Sequence, residues 1–240
     1  MSEPLEPAAA VPVRAGCPVW ILALDASLAC CSAALLADGV LRAQRVTEGE
    51  RGHAASLPPM AAAVLHEAGI AAGDLGAVAA VVGPGGFTGI RAALALAQGI
   101  ALGAGLPVLG VTTGEALAAA MPAGSGTIWS VVDTRRGRVV LERFAAGAVV
   151  AEGPPLAFDI EALPLPSGRV TLVGDAAGLV AAALVVRGAD AVPGASRQPD
   201  AAAAARVAAL RLAGRIPPLA ARPLYVEPPA VRLPGGPPAP

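Results

Sequence analysis

The chain has no lysine and no asparagine; its basic side chains are all arginine, 17 of them against 18 acids. Without a lysine there can be no Gly-Lys-Ser/Thr phosphate loop, no Schiff-base or pyridoxal amine and no protein-kinase lysine. Biased composition is itself a sufficient origin for the absence. Aromatic residues are also scarce, with three Phe, two Trp and one Tyr, so the stacking platforms of single-strand nucleic-acid binders are missing. A formal net charge of -1 gives no basic field that would hold nucleic acid on this chain alone. His53 and His66 match no H-x-x-x-H spacing, which argues against a histidine-built metal site. Cys17, Cys30 and Cys31 form neither a paired framework nor a C-x-x-C motif, as in a reducing, cytoplasmic compartment.

Aliphatic residues are abundant. A hydrophobic fraction of 55% against 15% charged, over 240 residues, supports one large domain or two small ones. Residues 1–16 are acidic and rich in Pro and Ala, and they lack the basic start of a signal peptide, so a loose tail is expected. Residues 92–114 are uncharged and long enough to span a bilayer. Pro107 and several glycines interrupt them, and the better reading is a buried helix to Ala104, a loop and a strand, with no membrane association.

Residues 19–25 are a continuous apolar run ending in Asp25, the pattern of a buried strand. Residues 30–37 and 40–46 flank Asp38-Gly39, a type I′ hairpin signal, so three antiparallel strands open the chain. A helix is expected over 54–68, its regular part starting near Leu57 because Pro58 and Pro59 fit only a first turn. Next come a strand at 77–82, a glycine-rich loop at 83–89, a helix at 90–104, a strand at 108–111, and a helix at 115–120 capped by Thr113. The second half opens in the same way, with a strand at 127–133 ending in Asp133, a hairpin partner at 138–144 and a third strand at 148–152. Beyond a Pro-rich connector at 154–166, a strand at 170–173 and helices at 176–187 and 199–212 are expected. This divides the chain into an N-terminal tail (1–18), a first half (19–121), a second half (122–215) and a Pro-rich tail (216–240).

The loop at 83–89 crowds glycines and a proline into a strand-to-helix turn, where Thr88 suits an N-cap and Arg91 stands beside the positive end of the helix dipole. Three readings stay open: close packing of strand on helix, an anion held by Gly85, Thr88 and Arg91, or a partner contact. The spacing does not fit the dinucleotide fingerprint. No G-x-S-x-G is present, and the co-occurrence of Ser27, Ser32 or Cys31 with His53 is read as coincidence rather than a nucleophile and base. Arg135, Arg136 and Arg138 fall on one hairpin turn, either solvated or available to a partner or to RNA phosphates.

The duplicated unit of three antiparallel strands followed by helices and parallel strands resembles the ribonuclease-H-like halves of the actin, hexokinase and Hsp70 (ASKHA) superfamily, an α/β class with mixed sheets. Five motifs carry a closer resemblance. In order they are Ile21-Leu22-Ala23-Leu24-Asp25-Ala26-Ser27, Gly52-His53, Leu57-Pro58-Pro59-Met60, Gly83-Pro84-Gly85-Gly86-Phe87-Thr88-Gly89-Ile90-Arg91 and Pro107-Val108-Leu109-Gly110-Val111-Thr112. Together they resemble the TsaB (YeaZ) family, and Val132-Asp133-Thr134-Arg135 and Pro223-Leu224-Tyr225 continue the match more weakly. The chain departs from the pattern at Ala26 (usually threonine), Gly86 (often serine), Val140 (often tyrosine) and Glu227 (often arginine).

The resemblance implies a non-catalytic dimerisation subunit of the complex that transfers a threonylcarbamoyl group to N6 of the adenosine next to the anticodon in tRNA, the t6A modification. The implied partners are a TsaD-type catalytic subunit, a TsaE-type ATPase and, through the complex, tRNA. ATP and metal would belong to those partners, with no cofactor in this chain. The alternatives are a self-associating homodimer with its own ligand, or an enzyme of the same fold, either a phosphotransferase or a glycopeptidase-like hydrolase. In nucleotide-binding relatives the ends of the first strands carry carboxylates near a Mg-phosphate group, which makes Asp25 and Asp133 candidates beside the plainer reading as turn caps.

The helices at 57–68 and 90–104 are so poor in polar residues that one sheet face would leave apolar surface uncovered. Helical spacing therefore proposes a partner stripe of Leu57, Met60, Val64, Ile90, Leu94 and Gln98, with Leu94 facing solvent in the monomer. From the charge balance, the chain alone should bind tRNA weakly and without sequence preference. A filter-binding titration at physiological salt should give no submicromolar affinity.

Overall fold

The computed structural model describes residues 18–49 and 52–226. The expected N-terminal tail through Cys17, Glu227 and the tail beyond it lie outside the described residues.

The first sheet holds β1 (Trp20–Asp25), β2 (Cys30–Ala37), β3 (Val40–Glu48), β4 (Leu75–Gly83) and β5 (Val108–Thr112). The second holds β6 (Thr127–Asp133), β7 (Arg138–Phe144), β8 (Leu156–Asp159), β9 (Val170–Val173) and β10 (Ala191–Pro193). Their orders, β3-β2-β1-β4-β5 and β8-β7-β6-β9-β10, are the same. In each, an antiparallel meander leads into two parallel strands. This is the duplicated ribonuclease-H-like, mixed-sheet α/β architecture. Asp38 and Gly39 turn the first hairpin with φ of 50° and 78°, the left-handed pair that a type I′ turn requires.

Helices α1 (His53–Glu67) and α2 (Phe87–Ala104) cover one face of the first sheet. Side chains alternate across β1: Leu22 and Leu24 face α1 and α2, while Ile21 and Ala23 face α5 (Ala201–Leu212). In the second sheet Trp129 and Val131 face α4 (Ala177–Val186), whereas Ile128 and Val132 face α3 (Thr113–Ala119). The last helix of each half thus lies in the layer between the sheets. Although α5 follows β10 in the chain, its alanines Ala201 to Ala205 and Ala208 are buried against β1, β2, β4 and β5. Side chains this small let a helix pack closely on a sheet.

Several local expectations need correction. Helix α1 begins at His53, so Pro58 and Pro59 lie inside it. Both are exposed, and the carbonyls they leave unpaired can take water. Helix α2 starts at Phe87 with Gly86 in the cap position, which puts Thr88 in the first turn rather than at the cap. Thr112, not Thr113, caps α3; it accepts from Glu115 N–H at 2.9 Å while the Glu115 carboxylate accepts from Thr112 N–H at 2.9 Å. No strand forms at 148–152. The third strand is β8, inside the expected connector, and β10 was not foreseen.

The layer between the sheets is held by a buried ion pair. Arg211 of α5 donates from Nη2 to Glu115 Oε1 at 2.7 Å, from Nη1 to Gly110 O at 2.6 Å and from Nε to Pro217 O at 2.8 Å. Its side chain is 3% exposed and that of Glu115 4%. Arg211→Ala would leave a carboxylate buried without its cation, at a cost of about 3–5 kcal/mol. Replacing both partners with apolar residues of similar volume should cost much less. Urea unfolding of the single and double variants checks this.

Candidate functional site

The glycine loop sits at the mouth of a cleft between the two halves. A side-chain carbon at Gly85 would stand 2.2 Å from Ser27 O, and one at Gly89 would stand 1.9 Å from Ala26 O. Gly86 N–H donates to Ser27 O at 2.7 Å. These contacts lay the start of α2 directly on the backbone at the end of β1, so close packing is what the two glycines provide. Gly86 differs: a carbon there would meet Ser27 O at an ordinary 3.6 Å, so the serine common at this position would fit.

The cleft encloses about 830 Å³. Gly85 and Phe87 line it from the first half, Asp133, Arg135 and Asp175 from the second, and Tyr225 from the C-terminal segment. Asp133 N–H donates to Asp175 Oδ1 at 2.9 Å, and Arg135 lies 3.8 Å from Asp133 and 3.7 Å from Asp175. Burial raises the Asp175 carboxyl above the usual range. Val140, where tyrosine is common in the family pattern, adds an apolar wall.

Of the proposed anion or nucleotide residues, Gly85 and Asp133 reach this cleft. Asp25 does not. It lies on the same side of β1 as Ile21 and Ala23, facing α5, and is 0% exposed. Its Oδ1 accepts from Ser27 N–H at 3.0 Å and from the Ser27 hydroxyl at 2.7 Å, and Oδ2 has no partner among the described residues. Burial pushes the carboxyl up to about 7. The two strand-end aspartates therefore differ, because Asp133 shares the side of β6 that bears Trp129 and Val131 and faces α4. Thr88 is exposed on the first turn of α2.

Arg91 is at the rim and already engaged. Its guanidinium carbon lies 3.6 Å from the centre of the Phe87 ring, and Nη2 and Nε donate to the Tyr225 hydroxyl at 2.7 and 3.1 Å. Tyr225 ends a strap that sequence reasoning missed. Leu219 O accepts from Gly110 N–H at 2.9 Å, Ala221 O accepts from the Gln98 amide at 3.0 Å, and Leu224 N–H donates to Val82 O at 2.9 Å. The strap thereby covers the open edge of β5 and runs antiparallel to α2 into the cleft. The Pro223-Leu224-Tyr225 motif with the lone tyrosine, and the glycine at 110, where a side chain would meet Ala220 O at 2.6 Å, are its sequence traces.

The proposed partner stripe is also corrected. Leu57, Met60, Val64, Ile90 and Leu94 are 1%, 9%, 0%, 5% and 3% exposed and pack in the core beneath α1 and α2. Only Gln98 is exposed, and the strap takes its amide. The helical period was sound, but with apolar and small residues on every side it could not tell the inner stripe from the outer one. The outer face carries Ala55, Pro59, Ala62 and His66 on α1, with Ala95, Gly99 and Leu102 on α2. Leu102 is 86% exposed. By length and composition α2 could cross a membrane; its inner face lies on the first sheet.

Two glycines of α2 should respond oppositely to alanine. Gly89→Ala forces a carbon onto Ala26 O and should cost about 1–3 kcal/mol or more. Gly99→Ala meets nothing within 4 Å and should gain about 0.5–1 kcal/mol from helix propensity. Urea denaturation measures both.

Comparison with known proteins connects this geometry to a family. Residues 45–153 match the family model described as TsaD, tRNA N6-adenosine threonylcarbamoyltransferase. The chain is 38% identical over 121 residues to the tRNA threonylcarbamoyladenosine biosynthesis protein TsaB of Escherichia coli, a match covering 50% of this chain and 52% of that protein. The chain therefore spans about half the length of that relative. An uncharacterized protein of Mycobacterium tuberculosis is 33% identical over 166 residues, covering 67% of this chain and 75% of its own. The solved structure of YeaZ from Pseudomonas aeruginosa superposes with a TM-score of 0.73 at 28% identity, covering 86% of this chain and 99% of that one. On sequence and fold together, the chain belongs to the TsaB (YeaZ) family.

Proposed function

We propose that this chain is an accessory subunit for t6A synthesis in tRNA, a cytoplasmic protein that acts by pairing with a TsaD-type catalytic subunit rather than by its own chemistry. Family membership supports the pathway, since relatives bear the name of tRNA threonylcarbamoyladenosine biosynthesis. In this reading TsaD, with a TsaE-type ATPase, supplies the ATP and metal chemistry, and tRNA is met through the assembly.

The observation that carries the reading is the disposition of polar groups about the cleft. The strand-end carboxylate that would approach a Mg-phosphate group, Asp25, is turned into the core. Arg91, placed to meet an anion at the start of α2, is held by Phe87 and Tyr225. What is left open to a partner is the outer face of α1 and α2. Ala55, Pro59 and Ala62 beside Ala95 and Gly99 leave little side-chain bulk, so helices of a partner of similar fold can approach closely, with Leu102 as an apolar anchor.

Leu102→Arg should therefore weaken pairing with a TsaD-type subunit by about tenfold or more, while circular dichroism stays unchanged because the side chain is solvated in the monomer. Size-exclusion chromatography of the mixed subunits reads the first and far-ultraviolet spectra the second. An intact complex with the variant would place the interface elsewhere. Threonylcarbamoyl transfer to tRNA by this chain without TsaD would overturn the accessory role.

A further inference from the structure

Glu142 sits where the two halves meet. On β7, Val139 and Leu141 face α4, so the alternate residues Glu142 and Phe144 face α3 and the first half. The Glu142 carboxylate, in a residue 2% exposed, accepts from Gly114 N–H at 3.0 Å across that boundary. Gly114 admits it because it has no side chain; a carbon there would stand 2.2 Å from Glu142 Oε2. The contact joins β7 of the second sheet to the first turn of the helix that leaves β5 of the first.

The groups around this carboxylate come from three elements. Thr112, at the end of β5, hydrogen-bonds it. Glu115, from α3, is a second carboxylate close enough to disfavour its charge. Arg211, from α5, has its guanidinium committed to Glu115, Gly110 O and Pro217 O, and no cation among the described residues is paired with Glu142. Ser130, directly opposite on β6, has a buried hydroxyl with no partner among the described residues. Of the two neighbouring carboxylates, Glu115 has the arginine.

We propose that Glu142 is a proton-dependent latch between the two halves, closed when its carboxyl is neutral and loosened when it ionises. Neutral, it tolerates burial and the neighbouring Glu115 charge while still accepting from Gly114 N–H. Ionised, it is a buried anion beside another anion with no cation of its own among the described residues, and separating the halves brings it water. The cleft lies between the same two halves, so the latch would set its width.

Burial, opposed by the Thr112 contact and reinforced by Glu115, pushes the carboxyl from 4.5 up to about 7. The sign follows from linkage: a raised value in the folded state means stability that is full below about pH 4.5 and is lost as pH rises through about 7. Asp25, raised to about 7 as well, lies in the first half against α5 and adds a similar slope. It must be separated by its own variant.

The experiment measures melting temperature and amide-exchange protection at Gly114 in the isolated chain, as wild type, Glu142→Gln and Asp25→Asn. Between about pH 5.5 and about pH 8, Glu142 alone should lower the wild-type melting temperature by about 4–8 °C. Glu142→Gln should remove that share and Asp25→Asn should not. Wild-type protection at Gly114, corrected for intrinsic exchange, should fall about tenfold over the same range, and in Glu142→Gln it should stay level. A glutamine variant with the wild-type pH slope, or a change in melting temperature with level wild-type protection at Gly114, would overturn the latch. If Glu142→Gln does not fold, the wild-type protection profile still decides.

Discussion

The pairing of Arg211 with Glu115 is the constraint on which the rest of the molecule depends. Each sheet by itself has one face covered by the helices that follow its strands, α1 and α2 for the first and α4 for the second. The other faces look at one another and are filled by α3 and α5. A layer of alanines packs closely but has few interlocking shapes to fix its position. The guanidinium of Arg211 supplies that fixity by engaging a carboxylate and two backbone carbonyls at once. It also determines the electrostatics next door. Because the buried guanidinium of Arg211 is committed to Glu115, Glu142 meets the layer as an acid without a counterion among the described residues.

The cleft follows from that layer. With the halves joined at α3 and α5, the ends of β1 and β6 face each other across open space, and the loop from Pro84 to Phe87 forms one wall. The strap at 219–225 then closes the side next to α2, linking Val82, Gln98, Gly110 and Arg91 through one run of backbone and a tyrosine. A helix start that has the glycines of an anion site is in this way packed below by Ala26 and Ser27 and engaged above by Tyr225. Similar motifs in a related fold can hold different chemistry because side-chain parity at a strand end, one residue either way, decides whether a carboxylate meets solvent or core.

Much of the architecture is legible in the sequence. The runs ending in Asp25 and Asp133, the Asp38-Gly39 turn and the repeated order of elements are local features, and local backbone preference with strand periodicity specifies them. Four-residue errors at the start of α1, the shifted cap of α3 and the missed β10 have the same kind of origin: proline exposure, competing threonines and a three-residue strand are settled by neighbours in space. The partner stripe failed for a different reason. Leu94 and Leu102 lie on helix faces that hydropathy cannot rank, and only the position of the first sheet makes one core and the other surface.

By itself, the sequence determined the excluded chemistries, the duplicated mixed-sheet plan and the family motifs, because each depends on residue identity or short-range spacing. The tertiary structure alone decided which acids are buried, which helix face is free, that α5 crosses to the first sheet, and that the strap ends on Arg91. Those outcomes depend on contacts between residues far apart in the chain, such as Arg91 with Tyr225, and no local pattern encodes which of several apolar faces a distant segment will cover.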